Sequence, residues 1–333
     1  MSSSVASMAS TKSAAEYRAE LKNVPHKPGS AKPEPILKVK NVRRDFGGLT
    51  AVDVDHVEVQ RGVITALIGP NGAGKTTFFN LITGFDKPSS AKRLFGGPTA
   101  DKAATWSFNG HALGDTSAAA VAKSGMVRTF QLTKALSRLT VLQNMLLGAQ
   151  HQSGENFFVA LIKPIWKKQE EANTAKALAL LDRFKLLEKK DDLAGSLSGG
   201  QKKLLEMARA LMSDPVMIML DEPMAGVNPA LTQSLLGHIQ SLRDEGMTVL
   251  FVEHDMHMVR HISDWVVVMA EGRVVAEGPA DTVMSNQAVI DAYLGSHHDS
   301  DLGDDKFITD TAAVRIEREV AEEDVKSSQK SKK

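Results

Sequence analysis

A glycine-rich segment in the first third of the chain has the residue types and spacing of a phosphate-binding loop. It reads, in order, Gly69, Pro70, Asn71, Gly72, Ala73, Gly74, Lys75, Thr76 and Thr77. The glycines let backbone N–H groups turn toward phosphates, Lys75 can reach the β- and γ-phosphates, and the Thr76 hydroxyl can ligate Mg²⁺. The alternative is a glycine-rich turn between strand and helix that carries a lysine by chance. The apolar block before the loop and the helical pattern after it favour the phosphate site.

Two adjacent carboxylates, Asp221 and Glu222, follow an apolar block at residues 216–220. At the carboxyl end of a buried strand, the first acid can hold Mg²⁺, directly or through water. The second can orient or deprotonate the water that attacks a γ-phosphate. An acidic turn that closes a strand is the alternative, and the presence of the phosphate loop favours the catalytic interpretation.

A third motif lies between the other two and reads Leu197, Ser198, Gly199, Gly200 and Gln201. The amphipathic segment that follows, residues 202–211, predicts a helix. A Ser-Gly-Gly turn before a helix offers a second anion site, whereas the alternative is an ordinary helix N-cap by the serine. Taken alone the segment favours the N-cap, and only the order of the three motifs favours the anion site.

Four short apolar blocks rich in β-branched residues must position these motifs. Helix-length amphipathic segments separate the blocks, which predicts an α/β fold with a parallel sheet whose strands are buried on both faces. Ligands of such folds bind at the carboxyl ends of the strands. Between residues 130 and 195 the strand-like blocks are missing and apolar residues recur at helical spacing, which predicts an inserted helical subdomain. The blocks are residues 63–68, 216–220, 248–252 and 265–269.

The two ends of the chain differ in composition from its body. Residues 1–35 are rich in Ser and Pro without a sustained hydrophobic period, which predicts a flexible N-terminal arm. Residues 296–333 hold ten acidic and seven basic side chains, a net charge of −3, and predict a disordered tail. The body, residues 36–295, contains all three motifs.

Composition excludes several classes of function. The 333 residues hold 40 basic and 40 acidic side chains, so the chain lacks the overall positive field of a non-specific nucleic-acid binder, and no nucleic-acid partner is expected. The absence of cysteine excludes thiol enzymes, disulfide frameworks and thiolate metal sites, and fits a reducing cytoplasm. The longest strictly apolar runs have six residues against the roughly 20 that a membrane-spanning helix needs, and no secretory signal is apparent.

With these motifs in this order, residues 36–295 resemble the nucleotide-binding subunits of ATP-binding cassette (ABC) transporters. The pentapeptide at residues 197–201 is similar to the signature sequence of that family, a more specific feature than the phosphate loop. The resemblance implies a phosphate-loop NTPase cassette that hydrolyses ATP with Mg²⁺, held by Thr76 and Asp221. It also implies a head-to-tail dimer in which Ser198, Gly199, Gly200 and Gln201 contact the nucleotide of the partner cassette.

Further positions match the family residue by residue. Gln131 falls at the loop glutamine that senses the γ-phosphate or Mg²⁺, with a solvated glutamine as the alternative. His254 matches the switch histidine that contacts the γ-phosphate, whereas a lone histidine is more often structural. Phe46 lies where an aromatic ring stacks on adenine, and core packing is its alternative. Asn228 replaces the aspartate usual in the dimer-contact loop, which puts any charge-dependent role there in doubt.

Three strings narrow the resemblance to the ATP-binding subunits of branched-chain amino acid importers: FGGLTAV at residues 46–52, MVRTFQ at 126–131 and VEHDM at 252–256. That resemblance implies two membrane-spanning permease subunits, a second cassette of the same or a different chain, and an extracytoplasmic solute-binding protein. It places the chain peripherally at the cytoplasmic face of the membrane. The alternatives are the ATPase of a lipid or lipopolysaccharide exporter and a soluble ABC ATPase outside transport. Residues 91–104 look like an insertion, and the solute is inferred from the resemblance alone.

Overall fold

The computed structural model describes residues 12–89, 104–114, 116–129, 136–150 and 163–295. Gln131, the expected tail at residues 296–333 and all of the expected insertion except Ala104 lie outside these residues. Within the described residues the strands, numbered along the chain, are β1 (Pro35–Phe46), β2 (Leu49–Gln60), β3 (Ile64–Ile68), β4 (Thr105–Phe108), β5 (His111–Ala112), β6 (Met126–Arg128), β7 (Met217–Asp221), β8 (Thr248–Val252), β9 (Trp265–Ala270) and β10 (Arg273–Gly278). The helices are α1 (Ala14–Leu21), α2 (Lys75–Ile82), α3 (Ala118–Lys123), α4 (Val141–Leu146), α5 (Lys163–Arg183), α6 (Gly199–Leu211), α7 (Pro229–Asp244), α8 (Met256–Ile262), α9 (Ala280–Met284) and α10 (Gln287–Gly295).

The larger sheet has the strand order β10-β9-β3-β8-β7-β6. All neighbours in it pair in parallel except β10, which runs antiparallel to β9 at the edge. Each of the four apolar blocks forms a strand of this sheet, which confirms the predicted α/β fold with a parallel-sheet core. Parallel strands joined by crossover connections have their carboxyl ends on the same side of the sheet. The phosphate loop, the two carboxylates and His254 all lie at or directly after such ends and are therefore on that side.

Packing on both faces of this sheet explains why the blocks are continuously apolar. Ile64, Ala66 and Ile68 of β3 face a core cluster that contains residues of α5, α6 and α7. Leu67, which points to the opposite face, belongs to a second cluster with residues of β1, β2 and α2. A strand enclosed on both sides has no solvent face, so most of its residues are apolar and the pattern does not alternate.

A second sheet, with the order β2-β1-β4-β5, is antiparallel throughout. The apolar blocks did not predict it, because its long hairpin is half solvated and alternates apolar with polar residues. In β1, Leu37 and Val39 are buried while Lys38 and Lys40 are exposed. This period of two is the signal in the sequence that marks the hairpin.

Between β6 and β7, the described residues contain helices α4, α5 and α6, two short 3₁₀ turns and a single isolated bridge from Thr140 to Leu193. Leu181 of α5 and Phe184 just after it are completely buried. The interval expected to be helical therefore holds no strand among its described residues, and the helices extend past residue 195 through α6. None of the described helices is both long enough and apolar enough to span a bilayer.

Over its described residues, the N-terminal segment differs from the flexible arm expected at residues 1–35. From residue 12 onward it is packed on the body: α1 begins with a capping box between Ser13 and Glu16, and Tyr17, Leu21 and Val24 are buried. A single short helix does not produce a sustained hydrophobic period, so the sequence pattern does not reveal that its few apolar residues are buried. We refer to residues 12–34 as the N-terminal strap.

Candidate functional site

The phosphate loop connects β3 to α2, and two of its glycines are required by close backbone contacts. Gly69 has a φ of +152° and Gly74 a φ of +94°, conformations that L side chains rarely adopt. A Cβ atom on Gly69 would lie 2.0 Å from the carbonyl oxygen of Met269, and one on Gly74 would lie 2.2 Å from that of Ala51. The loop is thus held between β9 and β2 with no space for other residue types at these positions.

Lys75, the first residue of α2, turns back over the loop. It is buried, and its Nζ donates hydrogen bonds to the carbonyl oxygens of Gly69 at 2.7 Å and Pro70 at 2.9 Å. Burial lowers the pKa of Lys75 to about 8, although the charges of Glu222 and Asp221 oppose that shift. Lys75 follows the loop after β3, and the two carboxylates lie at the end of β7, so the three groups share the carboxyl end of the parallel sheet.

Asp221 is the last residue of β7 and is only 2% exposed. Its Oδ2 accepts a hydrogen bond of 2.7 Å from Nη2 of Arg128. Its Oδ1 is buried and has no hydrogen-bond partner among the described residues. A buried carboxylate oxygen without a partner is costly, and Mg²⁺ binds such oxygens, so the donor set fits the predicted metal site. Thr76, exposed in the first turn of α2, offers a hydroxyl of the kind this site needs.

Glu222 follows Asp221 with a φ of +48°, an uncommon backbone conformation for a residue with a side chain. Its backbone N–H donates to the carbonyl of Val252 at 3.0 Å. Its Oε1 lies 2.8 Å from Nε2 of His254, which follows β8. Both side chains are partly exposed, at 20% for Glu222 and 34% for His254. The geometry places a carboxylate and an imidazole side by side, open to solvent, at the ends of two neighbouring strands.

Glu253 is a residue of this region that sequence reasoning missed. It is buried, and its carboxylate accepts backbone hydrogen bonds from Met224 at 2.9 Å and from His254 at 3.2 Å. Burial raises its pKa, and the two backbone donors oppose that shift. In the sequence, only the position of Glu253 next to His254 suggests that it belongs to the site. Its contact with the turn after Glu222 joins the ends of two strands, so the sequence around Glu253 alone does not predict it.

In the single chain, the Ser-Gly-Gly motif has the structure of a helix N-terminus. Ser198 is the N-cap of α6: its Oγ accepts from the N–H of Gln201 at 3.3 Å, and Gln201 Oε1 accepts from the N–H of Ser198 at 3.0 Å. Gly200 is buried against Leu231, where an added Cβ would lie 2.0 Å from that side chain. Ser198 and Gly199 are exposed, so contact with a partner's nucleotide stays a prediction that this geometry allows.

The structure also describes the surroundings of Phe46 and Asn228, the predicted adenine-stacking residue and the residue that replaces the usual aspartate of the dimer-contact loop. Phe46, at the tip of the β1–β2 hairpin, is 46% exposed, which excludes the alternative of core packing, and the Arg44 guanidinium lies 4.5 Å from its ring centre. An exposed ring is free to stack on a planar ligand, and that role stays a prediction. Asn228 caps α7, with its Oδ1 accepting from the N–H of Leu231 at 2.9 Å.

Two families match parts of the sequence. Residues 52–225 match the family described as ABC transporter, and residues 273–299 match the one described as branched-chain amino acid ATP-binding cassette transporter. The first match spans more than half of the chain and includes the phosphate loop, the Ser-Gly-Gly motif and both carboxylates.

Similar proteins of several organisms cover the same region. The probable branched-chain amino acid transport ATP-binding protein LivG of Archaeoglobus fulgidus is 38% identical over 261 residues, 78% of this chain and 96% of that protein. The high-affinity branched-chain amino acid transport ATP-binding protein BraF of Pseudomonas aeruginosa is 38% identical over 263 residues, 78% of this chain and 98% of that protein.

Solved structures extend the similarity to the fold. A nucleotide-free ATP-binding cassette from an ABC transporter superposes with a TM-score of 0.65 at 35% identity, over 78% of this chain and 98% of the other. A cassette in its ADP conformation gives a TM-score of 0.64, also at 35% identity, over 78% and 99% of the two chains.

Proposed function

The chain belongs to the ABC transporter family of ATP-binding cassettes, and from this premise we propose that it is the ATP-hydrolysing subunit of an importer of branched-chain or related amino acids. The observation that carries the proposal is the gathering of Lys75, Asp221, Glu222 and His254 at the carboxyl end of one parallel sheet. The names of the similar proteins and the family matched by residues 273–299 support branched-chain amino acids as the class of solute.

In the proposed reaction each residue has a separate task. The phosphate loop and Lys75 hold the β- and γ-phosphates of ATP, and the amine neutralises charge that develops on the γ-phosphate. Glu222 orients or deprotonates the water for in-line attack, and His254, 2.8 Å away, fixes that carboxylate and contacts the γ-phosphate. Gln131 senses the γ-phosphate or the metal from its loop, and Phe46 stacks on adenine.

Thr76, Asp221 and Gln131 are the proposed ligands of Mg²⁺. The unpartnered Oδ1 of Asp221 supports this assignment, because the oxygen is buried where a cation would compensate it. Held by these residues together with ATP, the cation would neutralise negative charge on the phosphates during hydrolysis.

A second cassette, of the same or a different chain, completes the proposed site. The exposed Ser198 and Gly199, together with Gly200 and Gln201, would serve the partner's nucleotide through the N-terminus of α6. ATP then favours a closed dimer and hydrolysis reopens it, a two-state change that drives two permease subunits. The chain therefore works at the cytoplasmic face of the membrane, and an extracytoplasmic solute-binding protein delivers the amino acid.

Purification of the intact assembly tests this proposal. The tagged chain is solubilised from its native membranes in mild detergent, and the co-purifying proteins are identified by mass spectrometry. We expect two polytopic permeases, a second cassette and a solute-binding protein. The ATPase rate of the complex should then rise with leucine, isoleucine or valine, but not in the matched complex that carries Glu222→Gln.

Two outcomes would contradict the importer, and a third would contradict only its solute. Soluble partners alone would favour an ATPase outside transport. Permeases without a binding protein, combined with stimulation by lipid or lipopolysaccharide, would favour an exporter. Stimulation by an unrelated solute such as an amide or urea would leave the importer intact and overturn only the branched-chain assignment.

A further inference from the structure

Arg128 lies at the end of β6, directly beside the carboxylates of β7. Its side chain is 5% exposed, and its register partner in the parallel pairing is Met219. Nη2 donates to Oδ2 of Asp221 at 2.7 Å, while Nη1 donates to Oδ1 of Asn80 in α2 at 2.6 Å. The guanidinium also lies 5.4 Å from the ring centre of Phe79. A buried cation thus connects the strand-end carboxylate to the helix that begins at the phosphate loop.

The two hydrogen bonds use different nitrogens of one planar group, so they fix its orientation. Because the guanidinium is rigid, a contact at each end leaves it little freedom to rotate, and the aromatic ring restricts it further. Asp221 is held in turn through Oδ2 alone. The carboxylate cannot rotate without breaking a short charge-assisted bond, and Oδ1 is left as the oxygen without a partner among the described residues.

We propose that Arg128 is a positioning residue that orients Asp221 so that Oδ1 faces the Mg²⁺ that accompanies ATP. Arg128 acts through Asp221, and it fixes that carboxylate relative to α2, whose first turn carries Lys75 and Thr76. The inference rests on the proposed function only in taking Asp221 as a metal ligand. It assigns a task to a residue that the phosphate-loop and carboxylate motifs do not include.

Metal binding, measured apart from hydrolysis, tests this role. Mn²⁺ serves as the probe: free Mn²⁺ is followed by electron paramagnetic resonance while it is titrated into protein with a non-hydrolysable ATP analogue. We expect Arg128→Met to weaken Mn²⁺ affinity by about 10- to 100-fold, the usual effect of removing a residue that orients a metal ligand. Binding of the same analogue without metal should remain at the wild-type level, because the phosphate loop is unchanged.

Two graded variants separate orientation from charge. Arg128→Lys keeps the positive charge but cannot reach Asp221 and Asn80 with a rigid fork, so its affinity should fall between wild type and Arg128→Met. Asn80→Ala leaves the pair with Asp221 intact and removes the second contact, so its loss should be smaller than that of Arg128→Met. Wild-type affinity in Arg128→Met would overturn the proposal, and so would wild-type affinity in Arg128→Lys, because the positive charge alone would then be sufficient.

A double-mutant cycle with Asp221→Asn decides whether Arg128 acts through Asp221. If it does, Arg128→Met should cause no further loss of Mn²⁺ affinity in the Asp221→Asn background, whereas independent roles would give additive losses and overturn the proposal. Thermal unfolding of each variant checks the fold, and Arg128→Lys takes the place of Arg128→Met in the cycle if the latter is unfolded. Hydrolysis by the wild-type protein is measured separately, so failure of the ATPase proposal is distinguishable from failure of the cycle.

Discussion

Charged side chains lie at both ends of the parallel sheet, but their surroundings differ. At the carboxyl end, Asp221 Oδ1 lacks a partner among the described residues, and Glu222 and His254 are partly exposed. At the amino end, Lys32 and Glu277 form an ion pair of 3.2 Å with exposures of 1% and 0%. The carboxyl end thus has an unpartnered buried oxygen and two partly exposed side chains, whereas both members of the pair at the amino end are enclosed.

The amino end owes its closure to the N-terminal strap. Lys32 Nζ also donates to the Ser30 carbonyl and lies 4.6 Å from the ring centre of Trp265, the first residue of β9. Glu277 accepts the N–H of Ser30 at 2.6 Å. Tyr17 fills the space beside Gly62, where a Cβ would lie 2.5 Å from its ring. The strap therefore completes the hydrogen bonds at the end of the sheet where no ligand is expected.

Glu222→Gln, at the carboxyl end of the sheet, should cause the largest effect of the predicted changes. It should reduce turnover and leave the stability of the fold unchanged. Gln has nearly the same shape and can still accept a hydrogen bond from His254, but it cannot act as a base. We expect turnover of the reconstituted complex to fall by about 10²- to 10⁴-fold, with ATP binding retained. The free energy of unfolding, measured with urea, should match that of the wild type. Hydrolysis close to the wild-type rate would remove Glu222 from its proposed role.

The carboxyl end of the sheet could be predicted from the sequence more fully than the amino end. The positions of the motifs at the strand ends could be predicted because each motif is local and directly follows a buried strand, as in Gly69 after β3 and Glu222 after β7. Contacts between residues that are distant in the sequence could not be predicted: Arg128 contacts Asp221 across 93 residues, and Lys32 contacts Glu277 across 245 residues. Nothing in the composition of residues 12–34 indicates a partner that distant, so the sequence predicts a flexible arm where the structure has the packed strap.

Lys32→Met tests the enclosed end. The substitution leaves Glu277 buried without its countercharge, and breaking a buried pair in this way costs about 3–5 kcal/mol of unfolding free energy. Turnover per folded molecule should stay close to wild type, because the strap lies away from the carboxyl ends of the strands. Urea unfolding and the ATPase assay measure the two effects.

The double variant Lys32→Met with Glu277→Gln is the matched control for that result. Gln removes the uncompensated charge while its side-chain oxygen still accepts the N–H of Ser30, so much of the lost stability should return. A single variant within about 1 kcal/mol of wild type, below the cost of breaking a buried pair, would mean that the ion pair does not hold the strap.

Because the amine of Lys75 is buried, this residue of the phosphate loop should make the stability of the protein depend on pH. Its pKa is about 8 in the folded protein and 10.5 when unperturbed, so between these values the unfolded chain binds the proton and the folded protein does not. Stability of the nucleotide-free protein should therefore rise with pH across this window, by about 3 kcal/mol at most.

Comparison with Lys75→Met isolates that contribution, because other lysines titrate in both proteins. The difference between the two curves of unfolding free energy against pH should be flat below pH 8 and change from there toward 10.5. Bound ATP should raise the pKa of Lys75 in the folded protein through its phosphate charge, which narrows the window from its lower end and reduces the gain in stability. Parallel curves for the nucleotide-free proteins would contradict the burial of this amine.

Substitution of Asn228 should give the smallest predicted effect. The residue refines the comparison of the two ends of the sheet because it is a polar group near the carboxyl end whose observed contact caps a helix. It is exposed and caps α7 through a hydrogen bond of 2.9 Å to the N–H of Leu231. Asn228→Ala should cost about 1 kcal/mol of unfolding free energy, whereas Asn228→Asp should be near neutral because aspartate caps equally well. Both are measured by urea unfolding of the isolated cassette. If alanine is neutral while aspartate changes turnover in the assembled transporter, the side chain serves the dimer contact and the cap is incidental.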